Sequence, residues 1–379
     1  MTNSSLVKLR VAIVGAGRMG RIRATSIAAH PQCSLVEIVD IDVDRARTLA
    51  EEFGCGYSMD WELLPERQDI DCVVVSATHN LLSRISVAAL TAGKDVFCEK
   101  PMARTPAEAE SVIAAIWTNR GSRQPVFRIG CTLRHHPAVS RAHRLVKEGL
   151  IGQLFYIRAF YGHGGRPMYD QEWRMVPQLG GGGELLDQGI HLIDLSRWFL
   201  GDFPEVSGMI GTYFWTGIAH LDNPVKAHFP HELGDTVEDN AFLLLRTEIG
   251  QTASLHASWT QWKNAFSFEI YGREGSLTIT GLGGSYGEEQ LVHARRRPEG
   301  GVPEMNTLLT ASGENVWDLE WQAFVAACAG EGHPGHEALS QSATAEDGFE
   351  ALRMVCAIYE AARRQDPIFV SSQPSFTAP

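Results

Sequence analysis

The 379-residue chain has no apolar run approaching the ~20 residues that span a bilayer, and its first apolar stretch runs into Gly15 rather than a cleavage site. Membrane insertion and export are therefore not expected, and a cytoplasmic location is. There is no block of Lys or Arg, and the net charge of −12 provides no footprint for nucleic acid or an anionic membrane. There is no CxxC pair. The seven cysteines, Cys33, Cys55, Cys72, Cys98, Cys131, Cys328 and Cys356, are odd in number and scattered, which reads as reduced thiols. No internal repeat is visible, so solenoids and propellers are set aside. What is present is an ordinary globular composition, 44% apolar and 21% charged, in a chain long enough for two or three domains. A small-molecule partner is the expectation.

Over the first ~130 residues, short β-branched runs alternate with amphipathic helical segments. Leu9 to Val14, Ser34 to Asp40, Asp71 to Thr78 and Asp95 to Lys100 read as buried parallel strands. Helices are predicted over Met19 to Ala29, Arg45 to Phe53, Leu82 to Ala92 and Pro106 to Asn119. This βαβα order predicts a doubly wound Rossmann sheet. From about Gly152 the period changes to two, in "QLFYIRAFYG", "EVSGMIGTYF", "DNAFLLLRT", "QTASLHASWTQW", "FSFEIYG" and "GSLTIT". An open, mostly antiparallel sheet is predicted there, with Gly281 to Gly301 as a surface loop or ragged strand. Helices Trp317 to Ala329 and Ala343 to Arg364 follow. The expected division is a nucleotide-binding domain over 1–131 and an α+β domain over 132–379, with the last helix packing back on the first domain.

"VGAGRMG" carries GxGxxG at Gly15, Gly17 and Gly20, after a strand and opening a helix through Arg18 and Met19. The glycines allow a tight turn, close approach to a pyrophosphate and close packing of helix on strand, while the helix N-terminus offers N–H groups to phosphate. The next strand ends at Asp40, twenty residues after Gly20, where a carboxylate accepts the adenosine ribose hydroxyls. Asp40 repels a 2′-phosphate and no Arg directly follows it, so NAD is expected over NADP, with Arg45 moderating the preference.

Glu99, Lys100 and Pro101 lie at the end of a strand-like run, on the carboxyl edge where open α/β sheets bind ligands. A lysine there either stabilises charge on a reacting oxygen or is a solvated strand end. In "GGGGELLDQGIHLIDLSRW", Asp187, His191 and Asp194 recur at steps that return within about 40° and 20° of the start on an α-helix. As local sequence this face has three readings: a metal site, a buried polar cluster, or a catalytic face. One helix seldom completes a metal shell, and the pairs His228/His231 and His333/His336 sit in Pro-containing loops, so no metal is expected. His191 has an unperturbed pKa near ~6.5, and a carboxylate one turn away favours its imidazolium. Trp173 and Arg174, just upstream, read as a sugar platform or as packing; Arg134, His135 and His136 read as site lining or as the start of a helix ending at Glu148.

"GAGRMG", "VDIDVDRA", "AALTAGKDVFCEKPMARTPAEAE" and "GGGGELLDQGIHLIDLSRWFLG" resemble, in order and spacing, the Gfo/Idh/MocA family of sugar and inositol oxidoreductases. The similarity runs through the late "EDGFEALRMVCAIYEAARR". It implies that Lys100 works in the active site, that Glu99 lies near the nicotinamide ribose, and that Asp187 and His191 face substrate, with His191 as acid/base. It also implies a site in the cleft between the domains and a homodimer or homotetramer formed through the open face of the second sheet. The family's Pro and His after the fourth strand are replaced by "SATHN", so Thr78 and Asn80 are carried over as nicotinamide contacts.

The expectation is an NAD-dependent dehydrogenase or reductase moving hydride between nicotinamide C4 and a secondary hydroxyl or keto carbon of a sugar, cyclitol or nucleotide sugar. The alternatives are an NAD-dependent glycosidase working by transient oxidation, and a sugar- or dinucleotide-sensing regulator without catalysis. The intact Lys100, Asp187 and His191 argue against the latter.

Overall fold

Runs such as Val11 to Val14 and Cys72 to Val75 are buried at every residue, as strands covered on both faces require. The computed structural model describes residues 8–118, 123–165, 172–215, 237–311, 313–330 and 341–370. Contacts between residues divide the chain into two units, Met1–His135 with Asn315–Phe349, and His136–Glu314 with Glu350–Pro379.

In the first unit, β1 (Leu9–Val14), β2 (Cys33–Val39), β3 (Gly56–Ser58), β4 (Cys72–Val75), β5 (Asp95–Cys98) and β6 (Phe127–Ile129) form a parallel sheet in the order β3-β2-β1-β4-β5-β6. Helices α1 (Arg18–Ala29), α2 (Val43–Phe53), α3 (His79–Thr91) and α4 (Pro106–Thr118) alternate with the strands, giving the doubly wound Rossmann order. α2 starts where the Asp42 side chain accepts the Arg45 N–H and stops at Gly54 in the left-handed region. The strand order reverses between β1 and β4, so the loops after them flank the switch point that binds ligands in such sheets. The short strands β3 and β6 had no signal in the sequence beyond one and two apolar residues, Tyr57 and Phe127 with Ile129.

The helix Val316–Ala329 also belongs to this unit, although its position late in the chain assigned it to the second domain. Its Trp321, Phe324 and Val325 complete a core with Val11, Ile13, Ile27, Val74 and Phe97. Phe97 meets both aromatic rings edge-on, at 6.0 and 5.4 Å between centroids.

In the second unit, α5 (Pro137–Lys147) leads into β7 (Leu154–Gly162), α6 (Pro177–Gly180) and α7 (Ile190–Leu200). β8 (Glu205–Gly211), β9 (Asn240–Arg246), β10 (Thr252–Ser258), β11 (Ala265–Gly272), β12 (Gly275–Thr280), β13 (Gln290–Arg295) and β14 (Glu304–Thr310) follow. The helix already described is α8; α9 (Ala345–Arg364) and β15 (Ile368–Phe369) end the described chain. The sheet order is β14-β13-β12-β11-β7-β10-β9-β8-β15, antiparallel except where β10 runs parallel to β7. The stretch Gly281 to Gly301, expected as a surface loop or ragged strand, contains β13, which pairs with β12 and β14; its Leu291 and His293 are buried while Arg295 is exposed. Ala253, Leu255 and Ala257 are buried while Thr252, Ser254 and His256 are half-buried, so one face of the sheet is core.

Candidate active site

The phosphate loop in the first unit is built by steric necessity. Gly15 has φ +106°, and a Cβ there would lie 2.4 Å from the Ser76 carbonyl oxygen; one at Gly20 would lie 1.9 Å from the Gly15 oxygen. The backbones after β1 and β4 therefore touch, fixed by Ser76 Oγ donating to the Gly15 carbonyl at 3.0 Å. A Cβ at Gly17 would meet nothing within 4 Å, so that backbone is open to a ligand. α1 has no side-chain cap and no acid in its first turn, leaving N–H groups for phosphate; Arg18 is exposed and Met19 half-buried beside them.

Asp40 Oδ2 accepts the Ala16 N–H at 2.8 Å and Oδ1 the Asp42 N–H at 2.9 Å. Both oxygens are thus aimed by backbone, and each keeps acceptor capacity for a hydroxyl. Arg45 pairs instead with Asp42, at 3.4 Å. Thr78 Oγ1 donates to Asn80 Oδ1 at 2.6 Å, at the start of α3. These residues fit a dinucleotide: an open turn for pyrophosphate and an oriented carboxylate for ribose.

Half-buried Lys100 follows β5. Its neighbour Glu99, which the resemblance placed near the nicotinamide ribose, is buried and accepts Arg23 Nε at 2.7 Å. Arg23 is fully buried, lies 2.8 Å from Glu320 Oε2 and sits over the Phe97 ring at 4.3 Å. Thr132 Oγ1 donates to the same Glu320 oxygen. Burial pushes the Glu99 carboxyl above the usual range, against the opposing pull of Arg23. Nothing in "RMGRIRATS" distinguishes Arg23 from the exposed Arg21, because the α1 face it occupies is set by α8, remote in sequence.

In the second unit the expected regular helix is interrupted. Leu185–Gly189 is a π-helical turn, and α7 begins at Ile190. A π turn holds more residues than an α turn, so the step from Asp187 to His191 does not follow the α-helical period. Asp194 is 2% exposed and inside the α7 core, whereas His191 is half-buried, so the three side chains do not form one equivalent face. Arg174 Nε lies 3.5 Å from Asp187 Oδ2, and the Arg174 guanidinium covers Trp173 at 4.5 Å. Of the two readings of Trp173 and Arg174, packing is the one these contacts display: the pair stacks together, and Arg174 reaches Asp187.

Tyr161, with its ring centroid 6.2 Å from that of His191, and Tyr286 are additions that sequence patterning missed. Their rings lie 5.6 Å apart, and Gln188 Nε2 reaches the Tyr286 hydroxyl at 3.5 Å. Burial, then the charges nearby, pushes the Tyr161 phenol well up, so it is a neutral hydrogen-bonding group at neutral pH. The alternation in "QLFYIRAFYG" marks Tyr161 as one more strand residue, and only the packing of β7 on α7 selects it.

His136 Nδ1 meets Glu289 at 2.8 Å at the start of α5, and Arg134 pairs with Asp347 at 3.2 Å, so both are tied into structure. His228, His231, His333 and His336 lie outside the described residues. Among the described residues, no three His, Cys, Asp or Glu side chains are grouped to hold a metal ion, and no helix is long and apolar enough to cross a membrane.

Residues 9–121 match the oxidoreductase family with an NAD-binding Rossmann fold, and residues 139–278 match the GFO/IDH/MocA C-terminal domain. A 1,5-anhydro-D-fructose reductase of Ensifer adhaerens is 30% identical over 357 residues, covering 91% of each chain. A levoglucosan dehydrogenase of Pseudarthrobacter phenanthrenivorans is 27% identical over 295 residues, covering 72% of this chain and 73% of its own. The solved structure of a levoglucosan dehydrogenase in complex with NADH has the same fold, with a TM-score of 0.80 at 23% identity over 97% of this chain and all of that one. With an NAD-binding Rossmann unit followed by that C-terminal domain, this chain belongs to the Gfo/Idh/MocA family of NAD-dependent oxidoreductases.

Proposed function

We propose that the protein interconverts a secondary hydroxyl and a ketone on a cyclic sugar, with an anhydrohexose as the first substrate to try and cyclitols and nucleotide sugars next. The observation that carries this reading is the Arg174–Asp187 pair on the π turn that leads directly to His191. Bound NAD supplies the two-electron acceptor, held by Gly15, Gly17, Arg18, Met19, Gly20, Asp40, Thr78 and Asn80. In the oxidation direction His191 takes the hydroxyl proton at an imidazole nitrogen. Asp187 favours the imidazolium so formed, and Arg174, 3.5 Å away, fixes that carboxylate in place. The Lys100 ammonium stabilises charge on the reacting oxygen. Glu99 supports this reading indirectly, by anchoring the backbone next to Lys100 through Arg23. The names of the two relatives above, both for enzymes of anhydro sugars, support the substrate class.

The test is a panel of levoglucosan, 1,5-anhydrofructose, free hexoses, inositols and nucleotide sugars, with NAD and NADP separately, read by absorbance of the reduced cofactor and by product analysis. Turnover with net cofactor reduction or oxidation is expected. Cleaved glycoside without net cofactor change would replace this reading by the glycosidase one, and tight cofactor binding with no turnover by the regulator.

Asp40 sets the cofactor preference in this reading. Asp40→Ser removes a charged acceptor of the ribose hydroxyls, and the KM for NAD is expected to rise about 10- to 100-fold. Preference should move toward NADP; an unchanged ratio of kcat/KM for the two cofactors would remove Asp40 from the role.

The second sheet also supports a homodimer. Met209, Phe242 and His256 form a cross-strand row, and exposed Leu244 lies on the same face. An apolar row of this kind is a natural contact for a second copy. Phe242→Glu with Leu244→Glu should halve the mass or more in light scattering; an unchanged mass moves the contact elsewhere.

A further inference from the structure

The glycine run before the π turn is fastened by one buried carboxylate from the edge of β9. Glu238 Oε1 accepts the Leu185 N–H at 3.0 Å and the Gly183 N–H at 3.2 Å, and Oε2 accepts Gly183 at 3.1 Å. The Tyr359 hydroxyl of α9 donates to Oε1 at 2.7 Å. The main chain joins in, since the Glu184 N–H donates to the Glu238 carbonyl at 2.9 Å. Gly183 in turn accepts the Leu186 and Asp187 N–H groups on its own carbonyl, at 3.1 and 2.9 Å. A Cβ at Gly183 would lie 2.0 Å from the Glu238 oxygen, so this contact exists only because residue 183 is glycine.

We propose that Glu238 is a positioning residue: it holds Gly183 from one side while Gly183 holds Asp187 from the other, which sets where the Asp187 carboxylate stands relative to His191 and Arg174. This rests on the reading of Asp187 and His191 as the acid/base pair. A carboxylate is needed rather than an amide, because both of its oxygens accept from backbone N–H groups and an amide nitrogen cannot. Burial pushes the Glu238 carboxyl up, while Tyr359 and the backbone donors favour its charged form.

The experiment compares Glu238→Gln, Glu238→Ala, Tyr359→Phe and His191→Ala in the full chain. Without substrate, amide hydrogen exchange over 182–192 should speed up in both Glu238 variants. With substrate, kcat should fall about tenfold for Gln and up to about 100-fold for Ala, since small misplacements of a catalytic group have effects of that size. The Kd for NAD, measured by titration, should stay within twofold. The acid limb of kcat/KM should move to lower pH, because a displaced Asp187 no longer favours imidazolium. Tyr359→Phe removes one donor, and should move exchange and limb in the same direction by less; it carries the test if Glu238→Ala does not fold. An unmoved limb overturns the proposal, whether or not exchange speeds up, because Glu238 is then a structural support only. Undiminished turnover in His191→Ala overturns the parent reading instead, and the exchange data still report whether Glu238 holds the segment.

Discussion

His191→Ala is expected to lower kcat/KM for the sugar by about 10²- to 10⁴-fold, the usual contribution of a positioned acid/base. The Kd for NAD should be unchanged, because every residue assigned to the cofactor comes from the Rossmann unit. Wild type should lose activity in the oxidation direction as pH falls through the His191 titration, because the protonated ring cannot take a proton. His191→Ala should lose that limb together with the rate. A variant within threefold of wild type, or one retaining the limb, would assign the proton transfer to another group. Lys100→Ala acts on a different property, the charge on oxygen, so its pH profile should keep the limb at a lower rate.

Arg23→Ala is expected to lower folding stability by about 3–5 kcal/mol, the range for removing one partner of a buried ion pair. Its guanidinium bridges Glu99 and Glu320 and is wholly enclosed, so deletion leaves buried carboxylates without their cation. Arg23→Lys should recover only part of this, because a single ammonium does not reproduce the two-sided planar fork. The sign with pH follows from Glu99, whose folded pKa already lies above its usual value because of burial. Removing Arg23 raises it further. A carboxyl raised in the folded state costs nothing while protonated in both states, and lowers stability as pH rises toward the raised value. The deficit of Arg23→Ala should therefore be smaller at pH 5 than at pH 7 in urea unfolding. A deficit that is equal at both, or below about 1 kcal/mol, would show that the pair is not a net electrostatic support.

Much of the first unit was legible because its signals are local. The β1 run was read to the residue, as β-branched residues between a polar start and Gly15, and the GxGxxG spacing has a steric reason that the Cβ distances at Gly15 and Gly20 display. Asp40 was singled out by its distance from the glycines, and the Ala16 and Asp42 N–H groups orient its carboxylate. Less was legible where a helical period was assumed. The spacing of Asp187, His191 and Asp194 implied a regular helix, but the π turn adds a residue, and burial then separates Asp194 from His191. β13 was read as a loop or ragged strand and β14 was missed because charged, glycine-rich residues surround them; the pairing of β13 with β12 and of β14 with β13 outweighs that composition.

The alternation of the main strands and helices of the first unit and the glycine turn after β1 were determined by the sequence, because turn sterics and short-range period act within a few residues, whereas Lys100, Asp187 and His191 were singled out through the resemblance of whole motifs. Tertiary structure alone decided that Arg23 is enclosed while Arg21 is exposed, that Arg174 holds Asp187, and that Glu238 reaches back to Gly183. The Arg23–Glu99 and Glu238–Gly183 contacts join residues 76 and 55 apart in the chain through buried charge. A charged side chain has no neighbour-to-neighbour pattern that announces its partner, so its role is settled only when packing removes it from water.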